Sequence, residues 1–147
     1  MSATLFGNVP YLPPPWLQAA LPASALPRER VQLGRFPTPI HRLELLDSDL
    51  GIDLFVKRDD LSSFDLSGNK VRKLEFLLAE AMQQNCDSVL TIGGVQSNHA
   101  RSTAIAARQL GMEPHLLLRT REPTADPGLV GNLLLNRMVG ARIQQVH

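Results

Sequence analysis

The sequence predicts an α/β fold with an open, mostly parallel sheet and flanking helices, because strand-like and helix-like stretches alternate along the chain. Residues 88–92 (Ser-Val-Leu-Thr-Ile) form a mostly apolar run of strand length, which is typical of a strand covered on both faces. A stretch with helical periodicity precedes this run and another follows it. Helices placed between strands usually connect parallel neighbours of one sheet.

The first 27 residues predict an extended arm. They contain no Lys or Arg but several prolines, which excludes a usual secretory or transit leader and a long helix. We expect this arm to pack on a partner surface or a further domain, with Tyr11 and Trp16 as its anchors.

A strand over 53–57, a loop over 59–63 and a helix after Gly68 come next in the chain. The apolar residues of the helix recur at helical spacing, and we expect three charged residues between them to face water. The apolar set is Val71, Leu74, Leu78, Ala81 and Met82, and the charged set is Arg72, Glu75 and Glu80.

The remainder of the chain continues the alternation. Residues 98–110 predict a helix that Gly111 ends, since glycine commonly follows the last helical residue. A strand over 114–118, a helix over 128–139 and a strand over 141–146 complete the predicted elements.

Composition excludes several classes of function. A formal net charge of +1 with 20% charged residues gives no basic excess for nucleic acid or a membrane surface. No apolar run approaches the roughly 20 residues that span a bilayer. The histidines have no metal-site spacing and Gly93-Gly94 fits no nucleotide-binding motif. The single cysteine, Cys86, indicates a reducing compartment, so we expect a cytoplasmic location.

Two strand-to-helix junctions carry polar side chains of the types that occur in catalytic and ligand-binding sites. Lys70 follows Gly68-Asn69 at the start of the first predicted helix, and Ser97-Asn98-His99 opens the helix after the strand at 88–92. Such junctions lie along one edge of a parallel sheet, where helix N-termini offer free N–H groups to ligands. A lysine there can be a surface charge or a covalent attachment point, and Ser97 or Asn98 can serve simply as a helix cap.

Six sequence blocks resemble the pyridoxal-phosphate (PLP) enzymes of the D-cysteine desulfhydrase and 1-aminocyclopropane-1-carboxylate deaminase family, of the tryptophan-synthase β-subunit fold type (fold type II). The blocks cover nearly the whole chain in the family's order: PTPIHRLE (37–44), FVKRDD (55–60), SGNKVRKLEF (67–76), IGGVQSNHARSTAIAARQLG (92–111), LLLRT (116–120) and DPGLVGNLLLNRMVGA (126–141).

The resemblance implies PLP as the cofactor and a role for each junction residue. Lys70 would hold PLP covalently and later act as a base, and Lys73 would approach the cofactor phosphate. Asn98 would contact the phenolic oxygen of PLP. The N–H groups of Asn98 and His99, with the Ser97 hydroxyl, would hold the substrate carboxylate, and Ser97 would assist proton movement.

The resemblance further implies the N-terminal half of a two-domain enzyme, because family members are about twice as long as these 147 residues. Residues 1–60 would form the arm and the start of the large domain, and 61–147 the small domain that carries the lysine, while the remainder of the large domain lies outside the sequence. The complete enzyme would be a homodimer that acts on a small amino acid.

The predicted reaction is the α,β-elimination of D-cysteine to pyruvate, ammonia and hydrogen sulfide. Ser67 and His99 resemble the desulfhydrase branch of the family more than the deaminase branch. Deamination of 1-aminocyclopropane-1-carboxylate is the alternative within the family, and a non-catalytic truncated or regulatory chain is the alternative outside it.

Overall fold

The computed structural model describes residues 7–44, 51–63, 65–66 and 68–147. Its strands are β1 (Asn8–Pro10), β2 (Glu29–Val31), β3 (Ile40–Arg42), β4 (Phe55–Lys57), β5 (Ser88–Gly94), β6 (Glu113–Arg119) and β7 (Arg142–Val146). Its α-helices are α1 (Pro15–Ala20), α2 (Lys70–Gln83), α3 (Asn98–Gln109) and α4 (Gly131–Met138). Among these helices, none has the length and apolar character needed to cross a membrane.

The main sheet confirms the predicted α/β class. Its three strands lie in the order β5-β6-β7, and both neighbouring pairs are parallel. The register places Gly94, at the end of β5, opposite Arg119, at the end of β6. The carboxyl ends of the strands therefore share one edge, and α3 and α4 begin after that edge. Two short antiparallel pairs, β1 with β2 and β3 with β4, precede this sheet.

Helix α3 covers one face of the main sheet. Its Ala100 and Ala104 are fully buried and pack with Leu116 and Leu118 of β6. The small alanines permit this close approach of helix and strand. The prediction that β5 is covered on both faces is wrong for the described residues, because Leu90 and Ile92 are 66% and 56% exposed. An apolar run alone does not tell how many of its faces are covered.

Helix α2 buries its predicted apolar stripe, with Val71, Leu74 and Leu78 at 2% exposure or less. The prediction that Glu75 faces water is wrong, since its side chain is 2% exposed and pairs with Arg30 at 2.8 Å. Its other carboxylate oxygen accepts hydrogen bonds from the backbone N–H groups of Leu33 and Gly34, both at 3.0 Å. The segment after β2 crosses α2 at this point and covers the carboxylate.

Arg72, also predicted to face water, is partly covered by an ion pair. Its guanidinium donates to Asp59 at 2.6 Å and lies over the ring of Phe36, 4.5 Å from the ring centroid. Glu80 is exposed as predicted. The face of α2 opposite the apolar stripe is therefore only partly in water, because the 3₁₀ turn at Asp59–Leu61 packs beside it.

The N-terminal arm contacts the chain's own strand β2 and helix α2. β1 pairs with β2, and the Tyr11 ring meets the Phe76 ring edge-on with centroids 4.9 Å apart. Tyr11 therefore anchors the arm to α2, and its predicted packing on a partner surface or a further domain stays a prediction. Trp16 is 71% exposed, and its contact with a partner surface or a further domain stays a prediction.

Candidate functional site

Lys70 is the first residue of α2 and lies where the sequence predicted it. Gly68, two residues earlier, has a φ of +91°, a backbone conformation that favours glycine. The backbone turn at Gly68 leads directly into α2, so that Lys70 lies in the first turn of the helix. The Lys70 Nζ donates to Asn69 Oδ1 at 3.0 Å and is half-buried.

Helix α3 holds the segment that leads into Lys70. The carbonyl oxygen of the buried Leu66 accepts hydrogen bonds from Arg101 Nη2 at 2.8 Å and Ser102 Oγ at 2.9 Å. Sequence reasoning missed both donors. Because Arg101 and Ser102 follow Asn98 by three and four positions, helical spacing places them on the same side of α3, and this signal could have identified them. Lys70 and the start of α3 are thus fixed relative to each other.

Ser97 caps α3, which confirms the capping interpretation. Its Oγ accepts a hydrogen bond from the Ala100 N–H at 3.2 Å. A Cβ on Gly93 would lie only 2.6 Å from the Ser97 side chain. The Ser97 side chain can therefore pack against β5 only because residue 93 is a glycine. Ser97 is half-buried, and its hydroxyl hydrogen can still donate to another group. The N–H groups of Asn98 and His99 have no acceptor within the helix.

Asn98 is exposed and is held by a residue of α4. Asn132 Nδ2 donates to Asn98 Oδ1 and to the backbone carbonyl of Gln96, both at 2.8 Å. Sequence reasoning also missed Asn132 and Gln96. The rule that polar side chains gather after the carboxyl ends of parallel strands could have pointed to Asn132, had it been applied to the helix after β6.

His99 lies near both candidate lysines. Burial, followed by the positive charges of Lys73 and Lys70, lowers the pKa of the His99 imidazole. Its Nδ1 is buried and makes no hydrogen bond within the described residues. The charges of Lys70 and Lys73, in the first turn of α2, therefore act on the His99 imidazole at the start of α3. Lys73 itself is exposed.

The lowered pKa of His99 predicts a pH-dependent loss of stability. A histidine whose pKa is lower in the folded protein binds its proton more readily after unfolding, so the free energy of unfolding should fall as the pH drops below about 6.5. The His99→Gln variant should lack this component. Urea unfolding of both proteins between about pH 8 and about pH 5.5 measures it, and identical pH dependence in the two would contradict the prediction.

Together these groups suit an anionic ligand that carries a reactive carbonyl. Lys70 supplies a primary amine, Lys73 a second positive charge, and the first turn of α3 free N–H donors. Asn98 Nδ2 makes no hydrogen bond within the described residues and supplies a further donor, and the orphaned His99 Nδ1 requires a partner. PLP offers an aldehyde, a phosphate and a phenolic oxygen, so the residues present fit this cofactor.

Other predicted features lie elsewhere. Ser67, which favoured the desulfhydrase branch, lies outside the described residues. A groove of about 670 Å³ between the arm and α2 is lined by residues such as Arg28, Glu29 and Phe76. It does not include Lys70 or the start of α3 and is separate from the candidate site.

Comparisons with known proteins show which sequences this chain resembles. The family model described as "Pyridoxal-phosphate dependent enzyme" matches residues 31–147. The "Bifunctional D-cysteine desulfhydrase/1-aminocyclopropane-1-carboxylate deaminase, mitochondrial" of Arabidopsis thaliana is 52% identical over 93% of this chain and 34% of that protein. A "1-aminocyclopropane-1-carboxylate deaminase" of a Methylobacterium species is 42% identical over 80% of this chain and 36% of its own length.

Solved structures agree on the fold. A crystal structure of an "ACC deaminase homologue" superposes with a TM-score of 0.73 and 40% identity, covering 84% of this chain and 36% of that one. A threonine deaminase isoform of Solanum lycopersicum, at 22% identity and a TM-score of 0.57, covers 74% of this chain and 28% of its own. The chain spans about a third of the length of these relatives, rather than the half that the resemblance implied.

Proposed function

The chain belongs to the family of pyridoxal-phosphate dependent enzymes, and on this premise we propose that it supplies the attachment lysine and the carboxylate-binding turn of a PLP-dependent lyase acting on D-cysteine. The products would be pyruvate, ammonia and hydrogen sulfide. The observation that carries the proposal is the contact between the starts of α2 and α3, where the Leu66 carbonyl just before Lys70 accepts hydrogen bonds from Arg101 and Ser102.

Lys70 has two tasks in this proposal. PLP, when bound, supplies an electron sink for negative charge at the substrate Cα. The Lys70 Nζ would hold the cofactor covalently, and the same amine, when free, would move the proton at the substrate Cα. The hydrogen bonds from Arg101 and Ser102 to the Leu66 carbonyl support this double use, because they fix the segment from which Lys70 projects.

The start of α3 binds the substrate carboxylate in this proposal. The N–H groups of Asn98 and His99 point out of the helix end, where the helix dipole favours negative charge. The Ser97 hydroxyl accepts from Ala100 and donates its own hydrogen to the carboxylate. Capping and substrate binding are therefore compatible uses of the same side chain. Lys73 offers its charge to the phosphate of PLP.

Deamination of 1-aminocyclopropane-1-carboxylate is the second candidate reaction. The names of both curated relatives include this activity, and that of the Arabidopsis relative also includes D-cysteine desulfhydrase. Both reactions need an amine exchanged at a PLP-bearing lysine and a bound carboxylate. The described site serves either substrate, and our preference for D-cysteine rests on the resemblance of Ser67 and His99 to the desulfhydrase branch of the family.

Parallel assays distinguish these candidates. The complete, PLP-loaded enzyme is incubated with D-cysteine, with L-cysteine and with 1-aminocyclopropane-1-carboxylate, and sulfide and ammonia are measured. We expect sulfide from D-cysteine, with Lys70→Ala as the inactive control. Ammonia from the cyclopropane substrate alone would favour the deaminase. Cofactor attachment at Lys70 without any product would contradict the proposed lyase and favour the non-catalytic alternative.

Ser97→Ala is expected to separate cofactor attachment from turnover. Loss of the cap should lower the free energy of unfolding by about 1 kcal/mol, and turnover should fall by about a hundredfold because the group beside the substrate is missing. The visible absorbance of lysine-bound PLP should remain. Absorbance titration, urea unfolding and steady-state kinetics measure the three effects.

Ser97→Asp provides the matched control for that variant. Aspartate is a good N-cap but offers no O–H donor and repels a carboxylate. This variant should therefore keep wild-type stability while it loses turnover. Normal turnover in Ser97→Asp would assign Ser97 to capping alone.

Three further features stay predictions. They are the division of the chain at residues 60 and 61, a homodimer of the complete enzyme and a cytoplasmic location. The name of the Arabidopsis relative includes the word mitochondrial, so imaging of a tagged protein is the appropriate test of location. Sedimentation velocity tests the dimer.

A further inference from the structure

Asn132 forms a rigid connection between α4 and the loop that follows β5. Its backbone N–H donates to Gln96 Oε1 at 2.8 Å, and Gln96 Nε2 donates to the Val130 carbonyl at 3.2 Å. Gly131, with a φ of +50°, lets the backbone approach so closely that a Cβ there would lie 2.4 Å from Gln96 Oε1. These contacts fix the position of the half-buried Asn132 side chain.

The hydrogen bonds of Asn132 also determine which way its own amide points. A backbone carbonyl can only accept a hydrogen bond. The atom of Asn132 beside the Gln96 carbonyl must therefore be the nitrogen, Nδ2, at 2.8 Å. The second hydrogen of the same nitrogen is directed at the Asn98 side chain, also at 2.8 Å.

The orientation of Asn98 follows from that of Asn132. Because Asn132 presents a donor, Asn98 must present its oxygen in return. The Asn98 Nδ2 group is consequently turned away from Asn132 and makes no hydrogen bond within the described residues. If the Asn98 amide were reversed, its oxygen would face that side and would repel an anionic ligand bound there.

We propose that Asn132 is a positioning residue that sets the orientation of the Asn98 side-chain amide, so that its NH₂ group faces the PLP oxygen. This inference rests on the proposed function for the identity of the ligand. The orientation itself rests only on the contacts among Gln96, Asn98 and Asn132. Asn132 does not touch the cofactor in this account and acts through Asn98.

The first experiment tests the orientation in the protein without PLP. Nitrogen-15 NMR spectra are recorded for the wild type and for Asn132→Asp, and the Asn98 side-chain signals are identified by their loss in Asn98→Ala. In the wild type, the Asn98 NH₂ protons should exchange rapidly with solvent. In Asn132→Asp the carboxylate can only accept, so the Asn98 amide should turn over and its protons should exchange more slowly. Unchanged exchange and chemical shifts would overturn the proposal.

The second experiment tests the consequence for PLP by a double-mutant cycle. Dissociation constants are measured by absorbance titration for the wild type, Asn132→Asp, Asn98→Ala and the double variant. Asn132→Asp should weaken PLP binding about tenfold more in the wild-type background than in the Asn98→Ala background, since it removes one charge-assisted hydrogen bond only when Asn98 is present. The added carboxylate repels PLP in both backgrounds, so this effect cancels in the comparison.

Equal weakening of PLP binding in the two backgrounds would overturn the inference and make Asn132 a merely structural residue. Met138→Gln, at a position 72% exposed on the same helix, is the control for general effects on α4 and should bind PLP like the wild type. Failure of the wild type to bind PLP would refute the proposed function instead, while the NMR result would still decide whether Asn132 orients Asn98.

Discussion

Replacement of Lys70 by alanine is expected to abolish both the covalent attachment of PLP and all elimination activity. Both functions reside in a single amine, and the described residues near the start of α3 offer only the exposed Lys73 as another primary amine. Loss of attachment and of the base should each reduce turnover by orders of magnitude. The visible absorbance of lysine-bound PLP and the release of sulfide from D-cysteine measure the two effects.

Lys70→Ala should not unfold the protein, which makes its effect interpretable. Lys70 is half-buried, and among the described residues its Nζ donates a hydrogen bond only to the neighbouring Asn69. Lys57→Ala is the matched control, because the Lys57 Nζ donates to the Thr38 carbonyl on another part of the fold and should be irrelevant to PLP. Normal absorbance and turnover in Lys70→Ala would contradict the assignment.

Glu75→Ala is expected to cause the largest loss of stability among the substitutions considered. The variant leaves the Arg30 guanidinium and the N–H groups of Leu33 and Gly34 without their acceptor. Removal of one partner from such a buried group costs about 3–5 kcal/mol. Urea unfolding measures this loss, and it should be smaller for Glu75→Gln, which keeps an oxygen acceptor.

Glu80→Ala is the control on the same helix. Glu80 is exposed and accepts only from Gln84 within its own turn, so its removal should change the free energy of unfolding by no more than about 0.5 kcal/mol. Equal effects of Glu75→Ala and Glu80→Ala would show that the contacts of Glu75 with the segment after β2 do not stabilise the fold.

The helices and strands that follow from a local sequence pattern could be predicted. The helices at Lys70–Gln83 and Asn98–Gln109 and the strand at Ser88–Gly94 follow from periodicity and from their glycine boundaries. The burial of Glu75 was not predictable, because it depends on a segment about 40 residues earlier in the chain. The exposure of Leu90 and Ile92 was missed for a related reason, since a strand's sequence does not show what packs on each face.

The candidate site was predictable only in part. Lys70, Ser97 and Asn98 stand at helix starts, which sequence patterns identify well. Arg101, Ser102 and Asn132 act through contacts that join residues 34 to 36 positions apart, so sequence patterns could mark them as candidates but could not show which groups they contact. Sequence patterns therefore predict the residues that we propose face a ligand, but not the contacts that hold them in place.

Chemical trapping of PLP tests the central claim most directly. The chain contains three lysines, at positions 57, 70 and 73. Protein incubated with PLP is reduced with borohydride, which fixes the cofactor to the amine that bears it, and the modified peptide is identified by mass spectrometry. We expect the modification at Lys70, with little at Lys57 or Lys73. Modification divided evenly among the three lysines, or concentrated at Lys57, would contradict the assignment of this site.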